Sequence, residues 1–190
     1  MHLMLSRRSL LVGGLAALTL GRARPAHATL VLPITLRELV SESQHAVVGT
    51  PGASTSRWES IGGNERIVTY TPLHVEHALD GTSPDSELMV RTLGGRVGDI
   101  GQVVAGEAPL LKNVTAAFFV EPVASDVFGV TAMAQGHYPI LADVQGARRL
   151  RAHPIAFTRP TPDAAVLRLD GRTVSEVEGL VYQEVARGAR

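Results

Sequence analysis

Between Arg66 and Leu79 the chain alternates for longer than anywhere else. Ile67, Thr69, Thr71, Leu73, Val75 and Leu79 share one parity, and Val68, Tyr70, His74 and Glu76 share the other. Period 2 with β-branched enrichment predicts a half-buried strand. Pro72 removes one ladder donor, so it predicts an edge or a bulge at that point. Asp80-Gly81 ends the segment with turn chemistry. A strand this long needs partners from the rest of the chain.

Shorter strands are predicted at His45–Thr50, Glu87–Leu93, Gln102–Ala105, Val127–Met133, Tyr138–Leu141 and Ala165–Leu169. Thr115–Val120 is apolar on both parities, which predicts a strand buried on both faces. Residues 51–65 are rich in Gly and Ser and read as a loop, with Ile61-Gly62-Gly63-Asn64 as a turn. From Val144 to Pro162 the pattern decays into a loop-like stretch. Two helices are announced by capping boxes, in which a Thr and a Glu three residues on satisfy each other's backbone donors. Thr35–Glu38 opens a short helix over Leu36–Ser43. Thr173–Glu176 opens an amphipathic helix with Val174, Val177, Leu180, Val181 and Val185 on one face, and Gly188 as its stop.

Many short strands with one helix at each end predict a mainly β protein. The expected form is a small closed or semi-closed, OB-like β-barrel with a short N-terminal helix and a C-terminal amphipathic helix. A sandwich is the alternative. The expected division is an address at 1–28, the barrel at 29–143, and an extension with the C-terminal helix packed on the barrel at 144–190.

The address follows from charge. Of 18 basic and 18 acidic residues, Arg7, Arg8, Arg22 and Arg24 fall in the first 28, which hold no acid. The remainder therefore carries −4. Arg7-Arg8 precedes a short apolar run, too short for the ~20 residues that span a bilayer. Ala26-His27-Ala28 fits a small-x-small cleavage site. The paired arginines resemble a twin-arginine export signal, which implies export of an already folded protein to the periplasm or beyond the cell. Replacing Arg7 and Arg8 by lysine is expected to hold the precursor in the cytoplasm, checked by fractionation; normal export of the double variant would remove the assignment. No later apolar run is long enough for a membrane span.

Composition removes several chemistries. With no cysteine there is no disulfide, thiol catalysis or iron–sulfur ligation. The single lysine, Lys112, reads as codon bias. A −4 domain in a chain with 4% aromatic residues is a poor partner for nucleic acid.

The order of motifs adds a resemblance. Leu36-x-x-Leu39-Val40, Val47-Val48-Gly49, Trp58, Leu79-Asp80-Gly81, Gly94-Gly95, Phe118-Phe119-Val120 and Gln135-Gly136 follow one another. The series resembles a group of exported bacterial β-domains found alone or ahead of matrixin-like zinc metalloprotease domains. It spans roughly residues 34–141. Asp80 stands where that group often has lysine, and Lys112-Asn113 where a Gly-Glu turn is usual. The zinc motif His-Glu-x-x-His is missing from the sequence. Such motifs imply a fold and not a reaction.

Candidate chemistry is sparse. His74 and His77 point to opposite faces of an unbroken strand, so they make a metal pair only through a bulge. The glycines from Gly94 to Gly101 lack the Gly-Lys-Ser/Thr of a phosphate loop, and Asp99 is expected to bond the loop's own backbone. Arg148, Arg149 and Arg151 could form an anion patch or a solvated loop. No Gly-x-Ser-x-Gly elbow occurs. The residues imply no cofactor and no metal. The first reading is a non-enzymatic binding module for an extracytoplasmic protein or small ligand. Its site is expected at the barrel end carrying Trp58, Arg96, Asp99, Gln135 and His137, with Arg91 at the edge. The alternatives are a hydrolase with an unrecognised site, and a partner or inhibitor of an exported metalloprotease.

Overall fold

The computed structural model describes residues 32–154 and 161–188. The twin-arginine and Ala-x-Ala positions lie outside the described residues. Helix α1 is Leu36–Glu42, followed by strands β1 His45–Pro51, β2 Thr55–Ile61, β3 Asn64–Ala78, β4 Glu87–Leu93, β5 Gly95–Val97 and β6 Ile100–Gln102. Then come β7 Ala116–Ala124, β8 Val127–Val130, a 3-10 turn Met133–Gly136, β9 His137–Ala142 and β10 Arg148–Leu150. Helices α2 Ala165–Leu169 and α3 Val174–Gly188 complete the chain.

Five strands form a ring in the order β1-β3-β4-β8-β7, closed by pairing of β7 with β1. Every pairing in the ring is antiparallel except β4 with β8. That seam is short, with Met89 facing Val127 and Val90 facing Phe128. Beyond it the strands part, and the segment after β6 plugs the gap. Leu93 N donates to Glu107 Oε2 at 2.9 Å, Ala134 N donates to the Gly106 carbonyl at 2.9 Å, and Ala108 is buried in the interior. The protein is thus a mainly β, semi-closed barrel with short helices toward its two ends, as the strand spacing predicts.

Burial of β7 on both faces has a simple cause. Ala116, Phe118 and Val120 point into the barrel with Val47, Leu73, Leu88 and Val90. Ala117 and Phe119 point outward, under Leu36 and Leu39 of α1, Leu169 of α2, and Val177 and Val181 of α3. β9 and β10 extend this outer layer with Tyr138, Ile140 and Leu150. Two cores therefore lie back to back on one strand.

Pro72 sits where β3 changes neighbour. Tyr70 faces Thr55 of β2, and Leu73 already faces Pro51 of β1. The Pro72 carbonyl accepts from Gly52 N at 2.8 Å, so its missing N–H faces the same gap and forfeits no ladder bond. The bulge falls later, at Glu76, between the pairs Gly49–Val75 and Val48–His77. It turns His74 and His77 to one face, yet His77 Nε2 lies 3.3 Å from Glu178 Oε1. Among the described residues no three His, Asp or Glu side chains gather as a metal centre.

Four expectations of secondary structure are corrected. The strand expected at Gln102–Ala105 is instead β6, which ends at Gln102. Residues 55–61 are a strand rather than loop, although the turn at Gly62-Gly63 stands where predicted. The β2 sequence has no buried face, so no apolar alternation announces it. Residues 165–169 form a helical turn rather than a strand, because a five-residue apolar run carries no decisive period. Arg148–Leu150 is a strand paired with β9 inside the stretch read as loop. There Arg149 is not a free anion contact: it donates to Asp143 Oδ2 at 2.7 Å and to the Gly171 carbonyl at 3.0 Å. The bond to Arg149 holds the Asp143 carboxyl below the usual range. No helix among the described residues is long and apolar enough to cross a membrane.

Candidate functional site

The six candidate residues divide into separate places. Trp58, Arg91, Arg96 and Asp99 belong to the end of the barrel built by the β2–β3 hairpin, β4 and the β5–β6 hairpin. Gln135 and His137 lie on the other side of the seam, in and after the 3-10 turn.

At the first place, backbone chemistry sets the layout. Gly62 and Gly63 both have positive φ, +58° and +79°, which makes a two-residue turn whose twist suits a hairpin. The β5–β6 hairpin lies over β2 and β3 because Gly95 has no side chain. A Cβ there would run into Thr69 Oγ1 and Ser56 Oγ. Gln102 Oε1 accepts from Ile67 N at 2.9 Å, and Gly94 N donates to the Ile67 carbonyl at 2.7 Å. Ile67 faces Trp58 across the ladder. Since Ile67 turns its N–H and C=O away from β2, Trp58 turns its own toward the open edge of the sheet.

Trp58 is 43% exposed on the hairpin-facing side of β2. Ile100 is also exposed, and it shares the hairpin's inner face with Gly95, Val97 and Gln102. Arg96 points to the outer face, its Nε donating to the Gly98 carbonyl at 3.0 Å. Asp99 is exposed at the tip, and among the described residues it makes no hydrogen bond. The tip is therefore closed by Arg96, not by Asp99 as expected. Beside the hairpin runs a cleft of about 380 Å³ bordered by Thr92, Leu93, Gln102, Glu107 and Leu110.

Arg91 is on the opposite face of the same sheet, opposite Tyr70. The Tyr70 hydroxyl donates to both Glu59 carboxylate oxygens at 3.1 Å. Arg91 Nη1 and Arg57 Nη2 approach the same carboxylate at 3.6 and 3.7 Å. The Arg57 guanidinium also lies 4.3 Å from the Tyr70 ring centroid. Arg57, Glu59 and Tyr70 escaped sequence reading because only the hairpin register brings them together. The available signal was Arg57-Trp58-Glu59, two opposite charges flanking an aromatic residue.

At the second place the polar groups are internal. Gln135 is buried, and its amide acts as a backbone surrogate. Oε1 accepts from Ile34 N and Nε2 donates to the Leu32 carbonyl, both at 3.0 Å. It fastens the segment before α1 to the barrel. His137 is 2% exposed and lies against Phe118, ring centroids 4.8 Å apart. Its Nδ1 is 2.9 Å from His153 Nε2, so one nitrogen carries the shared proton and the other accepts it. Burial, followed by the neighbouring His153, lowers the His137 imidazole to about 3. Burial lowers His153 too. On the other face of β9, the Tyr138 hydroxyl is buried with no partner among the described residues, and burial followed by Asp170 raises its ionisation.

No family model, curated protein or solved structure matches the chain.

Proposed function

We propose that this chain is an exported, non-enzymatic β-barrel module that acts by contact with another extracytoplasmic component. The arginine pair at Arg7-Arg8 and the Ala26-His27-Ala28 site support the export half of the reading. The contact half rests on one observation, a strand with two unsatisfied features. Trp58 stands half in solvent, and among the described residues β2 pairs with β3 alone. An exposed Trp on a rigid strand is the residue type that anchors protein interfaces. An unpaired strand edge supplies main-chain donors and acceptors for an added strand. Ser56, Glu59, Tyr70 and Arg91, by contrast, bond within the fold and position β2, which leaves Trp58 and the edge for a partner.

A photo-crosslinking residue placed at Ser60, exposed on β2 beside Trp58, tests this in the producing cell. A discrete adduct is expected, and Trp58→Ala should reduce it about tenfold, as for an interface anchor worth more than 1 kcal/mol. The same probe at Ser125, on the β7–β8 turn, should give no such adduct. Equal adducts from both positions, or an adduct indifferent to Trp58→Ala, would remove the reading.

A further inference from the structure

The open edge of β2 is complementary to itself. Ile67 bonds away from β2, so within β2 the outward-facing N–H and C=O groups belong to Trp58 and, by the alternation of an antiparallel ladder, to Ser56 and Ser60. Now place a second β2 antiparallel along this edge with a two-fold axis beside Trp58. Trp58 meets the Trp58 of the second copy as a hydrogen-bonded pair. Ser56 and Ser60 meet the second copy's Ser60 and Ser56 as the flanking pairs. All outward donors and acceptors of the three residues are then satisfied.

The same register decides the charges. Arg57 falls opposite the second copy's Glu59, and Glu59 opposite its Arg57. These are non-hydrogen-bonded positions, where opposed side chains come closest. Arg57 has 61% of its side chain exposed, enough freedom to reach across, while Glu59 is held toward the same face by the Tyr70 hydroxyl. On the other face the two Trp58 rings lie side by side. A shift of two residues in either direction breaks this arrangement: it puts Arg57 opposite Arg57, or Glu59 opposite Glu59, and like charges directly opposed are destabilising. Register, charge and aromatic placement agree on one geometry.

We propose that β2 joins a second copy of this chain edge to edge, making one continuous sheet through two barrels. The proposal rests on the contact reading above and names its partner. The contact is isologous, so it closes at two copies and buries the edge that would otherwise template further pairing.

The test is sedimentation equilibrium of the chain as it accumulates in the producing cell, with fluorescence of Trp58, its sole tryptophan. A concentration-dependent dimer with a blue shift on association is expected. Ser60→Pro removes an outward N–H without touching the β2–β3 ladder, and should abolish the dimer while leaving the monomer's melting temperature nearly unchanged. Arg57→Glu should weaken association about tenfold, since two attractive cross-strand pairs become repulsive. Glu59→Arg should do the same. Mixing the two singly substituted chains restores opposite signs across the edge and should recover association, an outcome that misfolding of either variant could not produce. A dimer indifferent to Ser60→Pro and to the charge changes overturns the proposal. So does a monomer at every concentration. If the Ser60 probe still captures a Trp58-dependent adduct with another protein in that case, the contact reading stands and only self-pairing falls.

Discussion

Unfolding free energy is expected to fall by about 3 kcal/mol between pH 7 and pH 4, and His137 is the main cause. In the unfolded chain this imidazole titrates near 6.5, and in the fold it is lowered to about 3. The unfolded state therefore binds more protons throughout that interval. A group lowered on folding contributes stability that is complete above the unfolded value and is lost as pH falls toward the folded one. The slope is about 1.4 kcal/mol per pH unit. Domains of this size hold only about 5–15 kcal/mol in all, so the loss is a large fraction. Denaturant titrations across this range measure it. His137→Phe keeps a ring against Phe118 and removes the titration, so most of the slope should vanish. A residual slope of the same sign is expected from His153, which burial also lowers. Identical slopes in His137→Phe and the parent would show that the pair does not control acid stability.

Phe118→Ala is expected to cost about 3–5 kcal/mol, the range for removing a fully buried phenylalanine. Phe118 has no exposed surface, fills the barrel between Leu73, Val90 and Val120, and forms the floor beneath His137. Its loss should also admit water to the imidazole and weaken the burial that lowers His137. The acid slope should therefore shrink together with the midpoint. Combining Phe118→Ala with His137→Phe should cost less than the sum of the two, because they share one contact. Full additivity would mean that the two rings do not support each other.

The parts of the fold legible in the sequence are those that touch a core. β3 showed its period because Ile67, Thr71 and Leu73 are buried along one parity. β7 showed its continuous apolar run because the barrel and the helix layer claim opposite faces. Both capping boxes form as their Thr and Glu predict, Glu38 accepting from Thr35 N at 2.9 Å and Glu176 from Thr173 N at 2.8 Å. β2 was illegible for the converse reason, since it lies outside both cores and carries no buried residue. β10 is only three residues long and two of them are arginines. The sites follow the same logic. Trp58 could be named from its rarity. Its neighbours Arg57, Glu59, Tyr70 and Arg91 depend on two ladder registers that a linear pattern does not fix. His153 could not be joined to His137, because their meeting depends on how β9, β10 and the following segment fold back.

The placement of two cores on one strand bears on how the molecule comes apart. β7 carries the barrel on one side and the helix layer on the other, so neither layer keeps its packing when β7 leaves. Loss of either core exposes the back of the other, and the two should open as a single cooperative unit. The β2–β3 extension and the β5–β6 hairpin contribute nothing to those cores beyond their roots. Outside the buried Ile67 and Val68, they can fray at little cost to the body of the fold. The strand edge offered to a partner lies in this outlying part, and association is expected to be felt there as protection of the outward amides of β2.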